Sequence, residues 1–203
     1  MIKNIIFDMG QVLMYFRPTL YIERLGISGM DRELLLQEVF DGLEWVQLDH
    51  GTIFEEDAVQ SICRRVPERL HGAVRELICQ WWQGPIWPVP GMAELMKELK
   101  EAGYKLYLLS NASLQQKQYH DRIPGVENLD GRLVSAECGM LKPQYGIYQK
   151  LMDTFDLRPE ECIFVDDSTV NVEAALCLGI QGILFVDDVA RLRKELRENG
   201  VEL

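Results

Sequence analysis

Residues 2–10 read Ile-Lys-Asn-Ile-Ile-Phe-Asp-Met-Gly, and residues 162–168 read Cys-Ile-Phe-Val-Asp-Asp-Ser. Each is a short apolar run, too short and too β-branched or aromatic for a helix, that stops abruptly at carboxylates. Two more runs of this kind are Tyr104–Leu109, followed by Ser110-Asn111, and Ile183–Val186. All four predict strands buried on both faces, as in a parallel sheet. Between them, apolar residues recur at helical spacing: Met92, Leu95, Met96 and Leu99, then Tyr148, Leu151, Met152 and Phe155, then Val189, Leu192 and Leu196. Gly103, just past the first of these helices, reads as its left-handed stop. Strand and helix therefore alternate, which predicts an α/β fold with a Rossmann-like, doubly wound parallel sheet.

Residues 17–89 interrupt the alternation. After Phe16 no strand pattern appears for some seventy residues, and the stretch shows helical segments such as Arg32–Phe40 and Glu55–Arg65. The expected organisation is a core of residues 1–16 and 90–203 with an all-α insertion over 17–89. All four tryptophans, Trp45, Trp81, Trp82 and Trp87, fall inside it. They either pack a small helical core or face a ligand from a lid. Pro85, Pro88 and Pro90 end the insertion, because closely spaced prolines stop helices.

Composition narrows the class. A chain of 203 residues with 47% hydrophobic and 26% charged residues is globular and builds one core with an insertion. Its formal charge of -11 repels a phosphate backbone, so no nucleic-acid partner is expected. The five cysteines are odd in number and form no C-x-x-C, which favours free thiols. No run approaches the ~20 apolar residues of a membrane span, and the N-terminus lacks the pattern of a secretory leader, so the expectation is cytoplasmic, with no membrane partner. Either a monomer or a homodimer fits.

In an open parallel sheet, ligands bind beyond the carboxyl ends of the strands. Asp8-Met9-Gly10, Ser110-Asn111 and Asp166-Asp167-Ser168 all stand there. Singly, each reads as a turn or cap residue; together they bring three carboxylates and a hydroxyl to one edge. Clustered carboxylates either rise in pKa or hold a divalent cation. Oxygen-only ligands with no neighbouring His or Cys favour a hard ion, Mg2+, over zinc. Lys142, in Met140-Leu141-Lys142-Pro143, reads as a helix entrance with Pro143 in the first turn, and supplies a positive charge for an anion there.

In these segments the chain resembles the haloacid dehalogenase-like (HAD) hydrolase superfamily. Ile-Ile-Phe-Asp8-Met-Gly-Gln-Val looks like its first motif and Leu-Leu-Ser110-Asn111 its second. Gly-Met-Leu-Lys142-Pro looks like its third and Phe-Val-Asp166-Asp167-Ser-Thr-Val-Asn171 its fourth. The helical insertion resembles the family's small α-helical cap. The resemblance implies a phosphatase acting on small phosphorylated metabolites through an aspartyl-phosphate intermediate on Asp8. It implies that Ser110 and Lys142 hold phosphate oxygens and take part in catalysis, that Asn111 touches substrate, and that Asn171 supports the fourth-motif loop. It also implies that Mg2+ sits on Asp8, Asp166, Asp167 and the carbonyl of Gly10. The subgroup it most resembles contains sugar-1-phosphate phosphatases and the phosphatase domain of soluble epoxide hydrolases, so sugar phosphates are the first expected substrates.

The chain departs from the family at residue 10. Family phosphatases carry there an Asp that protonates the leaving oxygen, help worth about 10^2–10^4 in rate, and this chain has Gly10. His50, in Asp49-His50-Gly51, is the candidate substitute. Two alternative functions follow from the departure. One is a 2-haloacid dehalogenase-type hydrolase, since halide leaves without a proton, although the Asp166-Asp167 pair opposes it. The other is a catalytically weak binding or regulatory module.

Overall fold

Strand β1 (Asn4–Phe7) lies at the centre of a five-stranded sheet in the computed structural model, which describes residues 1–203. It is flanked by β4 (Lys105–Ser110) and β6 (Cys162–Asp166), with β5 (Gly131–Val134) and β7 (Gln181–Leu184) at the edges, in the order β5-β4-β1-β6-β7. All pairings are parallel, as the uninterrupted apolar runs predicted. The register sets Ile5 beside Leu106 and Ile163, and Phe7 beside Leu108 and Val165.

Because successive strand residues face opposite ways, the runs divide between two cores. Ile5, Phe7, Leu106 and Leu108 pack with Leu95 and Leu99 of α6 (Met92–Glu101) and Leu192 and Leu196 of α11 (Val189–Glu198). Ile6, Tyr107, Leu109 and Phe164 pack on the other side with Ile147, Tyr148 and Leu151 of α9 (Tyr145–Phe155) and Ala174 of α10 (Thr169–Cys177). Helices on both faces make this the doubly wound α/β architecture.

Two short strands, β2 (Met14–Tyr15) and β3 (Trp87–Pro88), pair antiparallel with each other. Between them the chain is helical: α1 (Pro18–Glu23), α2 (Gly29–Leu35), α3 (Leu43–His50), α4 (Glu55–Cys63) and α5 (His71–Cys79). Short helices α7 (Gln116–Tyr119) and α8 (Ser135–Cys138) follow β4 and β5.

Several elements differ from the sequence expectation. Strand β5 has no apolar run: Gly131 and Arg132 open it, and as an edge strand it is only half buried. Strand β7 begins at Gln181 rather than Ile183, because pairing with β6 sets its register and leaves Val186 exposed. The expected helix Arg32–Phe40 breaks into α2 and a single π-turn, Leu36–Phe40. Pro143 is not in a first helical turn. The Gln144 N–H donates to the Leu141 carbonyl at 2.8 Å, and this turn absorbs Pro143 before α9 starts at Tyr145.

Candidate active site

The chain passes from β1 through the helical block to β4 and β5, then returns across β1 to β6. The carboxyl ends of β1, β4 and β6 therefore adjoin where the strand order reverses. Asp8 follows β1, Ser110 ends β4 and Asp166 ends β6. With Gly10, Lys142, Asp167 and Asn171 they border a cavity of about 250 Å³, except Asp166, which lies beneath it, fully buried.

Lys142 joins the strand ends. Its ammonium sits 2.8 Å from Asp8 Oδ1 and 2.6 Å from Asp166 Oδ2, and the residue is only 4% exposed. Burial alone would lower the lysine's pKa, but the adjacent Asp8 and Asp166 charges outweigh it and hold the group up, so it stays an ammonium. Asn111 fixes the lysine's backbone: its Nδ2 donates to the Lys142 carbonyl at 2.9 Å and its Oδ1 accepts from the Lys142 N–H at 2.8 Å. Both ends of the Asn111 amide are thus engaged by the Lys142 backbone, and the residue also lines the cavity.

The carboxylates differ in their partners. Asp166 Oδ1 accepts from the Ser168 N–H at 2.8 Å and from Asn171 Nδ2 at 3.0 Å, and Oδ2 takes the lysine. Asp167 is the exposed member of the three, and its pKa is raised by desolvation and by the charge of Asp166. Burial lifts Asp8 to about 6, with Lys142 opposing and Asp166 adding to the rise. Oxygens of Asp8, Asp166 and Asp167 lie within 4.8 Å of one another. Three carboxylates against one lysine leave negative charge uncompensated, and the all-oxygen donor set fits a hard divalent cation.

Gly10 is not in the left-handed region, and a Cβ placed on it meets nothing within 4 Å. The fold does not demand glycine here; the space a family acid would fill is open. His50 is not its substitute, because its Nε2 is 2.9 Å from the Gly139 carbonyl, to which it donates, and it does not line the cavity. The residue before it, Asp49, does. Burial and the Asp8 charge push the Asp49 carboxyl up to about 7, against a smaller pull from the Ser113 backbone N–H. Helical residues 49 and 50 point about 100° apart, so the sequence marks the segment without saying which of the two faces inward.

Met14, Phe16, Trp45, Trp81 and Tyr119 supply the cavity's aromatic and apolar lining. Phe16 stands 5.1 Å from Trp81 and 5.5 Å from Trp45, ring centre to ring centre. Two of the four tryptophans thus both pack and face the cavity. Trp82 donates instead to the Cys79 carbonyl at 3.2 Å, and Trp87 packs on Tyr21 at 5.4 Å.

Comparison with known proteins gives a consistent family. The profile described as haloacid dehalogenase-like hydrolase matches residues 2–179. A sesquiterpene phosphatase of Aspergillus oryzae is 29% identical over 97% of this chain and 95% of its own length. A flavin mononucleotide hydrolase of Arabidopsis thaliana is 22% identical over 98% of this chain and 78% of its own. Among solved structures, a HAD-family enzyme of Bacteroides thetaiotaomicron in its magnesium complex superposes with a TM-score of 0.72. That match is 22% identical and covers 95% of this chain and 98% of the other. No helix here is long and apolar enough to cross a membrane.

Proposed function

This chain belongs to the haloacid dehalogenase-like hydrolase family, and within it we propose a Mg2+-dependent phosphatase of small phosphorylated molecules, with residues 17–89 as a helical cap over the core of 1–16 and 90–203. The observation that carries the reading is the buried Lys142 bridging Asp8 and Asp166 beside Asp167: a fixed cation next to a carboxylate nucleophile and an oxygen-only cation site.

Asp8, Asp167 and the Gly10 carbonyl would hold Mg2+, which when bound neutralises charge on the phosphoryl oxygens. Both Asp166 oxygens already accept protein hydrogen bonds, so its part is to hold Lys142, Asn171 and the loop at Ser168 rather than to lead the coordination. Asp8 attacks phosphorus and becomes the aspartyl phosphate, which water then cleaves. Lys142 and Ser110 receive phosphoryl oxygens, and Asn111 contributes by fixing the lysine.

The aromatic lining supports aryl or extended apolar leaving groups over the sugar phosphates expected from sequence, since rings and methionines match apolar surface better than hydroxyls. The named activities of the two relatives, on a sesquiterpene and on flavin mononucleotide, accord with that preference.

The test is phosphate release from 1-naphthyl phosphate and glucose 1-phosphate, each with Mg2+ and with excess chelator. Metal-dependent release, faster by at least about tenfold in kcat/KM for the aryl ester, is expected, and Asp8→Asn removes it. Chelator-insensitive halide release from a 2-haloacid, with no phosphate release, would establish the dehalogenase reading instead.

A further inference from the structure

Departure of an alcohol or phenol from phosphorus leaves charge on the leaving oxygen, and residue 10 has no side chain with which to protonate it. Besides Asp8 and Asp167, which the cation site uses, one further carboxyl lines the cavity, that of Asp49, close enough to Asp8 to feel its charge. Asp49 sits in the last turn of α3, and no cationic side chain is paired with it.

Its position is set by the core rather than by the helical block alone. Ser135 Oγ donates to the Asp49 carbonyl at 2.5 Å and accepts from the Ala112 N–H at 2.9 Å, so the helix end is keyed to the loop that follows Ser110 and carries Asn111. His50 is tied to the Gly139 carbonyl one residue further on. Gly51, at φ 75°, closes the helix so near the core that a Cβ there would stand 2.5 Å from the Ala136 carbonyl oxygen. Three successive residues therefore dock this turn against β5–α8, with Asp49 lining the cavity.

We propose that Asp49 is the catalytic proton donor to the leaving oxygen, supplying from the helical block the group that residue 10 lacks. The proposal rests on the phosphatase reading above. As an Asp8 carboxylate oxygen bonds to phosphorus, the bond from phosphorus to the leaving oxygen breaks and its electron pair stays on that oxygen. The Asp49 carboxylic proton passes to it, releasing a neutral alcohol and an Asp49 carboxylate. In the second step that carboxylate takes a proton from the water that attacks phosphorus, the bond to Asp8 breaks, and inorganic phosphate leaves with both side chains restored. The groups facing Asp49 suit this cycle. Burial first and the Asp8 charge second favour its protonated form over the smaller opposing pull of the Ser113 N–H, and Tyr119 is held neutral by burial.

The experiment is a leaving-group series, 4-nitrophenyl, phenyl and benzyl phosphate, with wild type and Asp49→Asn in Mg2+. It reads kcat/KM, which reports steps up to departure of the leaving group. Wild type should depend weakly on leaving-group pKa. Asp49→Asn should lose about 10^2–10^4-fold on benzyl phosphate and much less on 4-nitrophenyl phosphate, steepening the slope. An equal loss on all three esters, or no loss on benzyl phosphate, would overturn the assignment. Wild type that released phosphate from none of them would sink the phosphatase reading itself, a distinct result. A thermal melt verifies folding, and Asp49→Ser carries the same comparison if the Asn variant is unstable.

Discussion

Lys142 is the residue on which stability and chemistry are most tightly joined. Two buried carboxylates face its ammonium, and one of them, Asp166, has no exposure at all. Lys142→Met removes the charge and leaves both acids buried with less compensation, a change that costs on the order of 3–5 kcal/mol. Urea unfolding at pH 7 measures the loss, and added Mg2+ should recover part of it while phosphate release stays abolished. Asp49 has the opposite sign. Its folded pKa of about 7 lies above the ordinary 3.8, so the native state keeps a proton that the unfolded chain releases between those values. Stability from this group is present below about pH 4 and is lost as pH rises toward 7. Asp49→Asn should therefore melt higher relative to wild type at pH 8 than at pH 5; a pH-independent difference would contradict the raised pKa.

Among the elements, α3 and α4 are held together by a fork of charges. Arg65, just past α4, reaches Glu44 in α3 with two nitrogens at 2.7 and 2.8 Å and Glu38 with a third at 2.6 Å, while Ser61 donates to Glu44 at 2.5 Å. Arg65 and Ser61 hold the Glu44 carboxyl down at about 2, burial opposing. A depressed pKa means stability present above about pH 4.5 and lost as pH falls toward 2. Arg65→Ala should cost roughly 1–3 kcal/mol at pH 7 and flatten the acid limb of the melting curve below pH 4.5. Because α3 also carries Trp45 and Asp49, the same variant should lower kcat/KM without touching Asp8 or Lys142. Helix α3 illustrates what periodicity conceals. It ends at Gly51, and nothing in its own residues shows that this end is pinned to Ser135 and Gly139 about 85–90 residues away.

At the scale of the molecule, a chain of net charge -11 gathers three carboxylates at one sheet edge and offers them a single buried lysine. A divalent cation that binds only the folded state stabilises it by about 2.7 kcal/mol at a hundredfold excess over Kd, a rise in Tm of several degrees for a chain of this size. Mg2+ titration followed by melting should show the rise and chelator should reverse it. An unchanged Tm across millimolar Mg2+ would argue against the cation site. Much of this was legible in the order of residues. Runs such as Ile5–Phe7 and Ile163–Val165 can be buried on both faces only as parallel strands, and Asp8, Ser110 and Asp166 sit at their ends because chain direction alone puts them there. Local pattern also marked helical segments within 17–89, but the all-α expectation missed the strand Trp87–Pro88, which exists only because Met14–Tyr15 pairs with it. Contacts between distant segments were not legible. Strand β5 exists because β4 offers an edge, not because Gly-Arg-Leu-Val favours a strand, and Asn111 meets Lys142 only after two loops close on each other. The choice of Asp49 over His50 belongs to the same class. Sequence determined only that an aspartate and a histidine stand side by side before Gly51. Only packing of that helix on the core decided its rotation, tying the histidine to a backbone carbonyl and leaving the carboxyl in the cavity, because a helix's facing is set by what it buries against and not by its own residues.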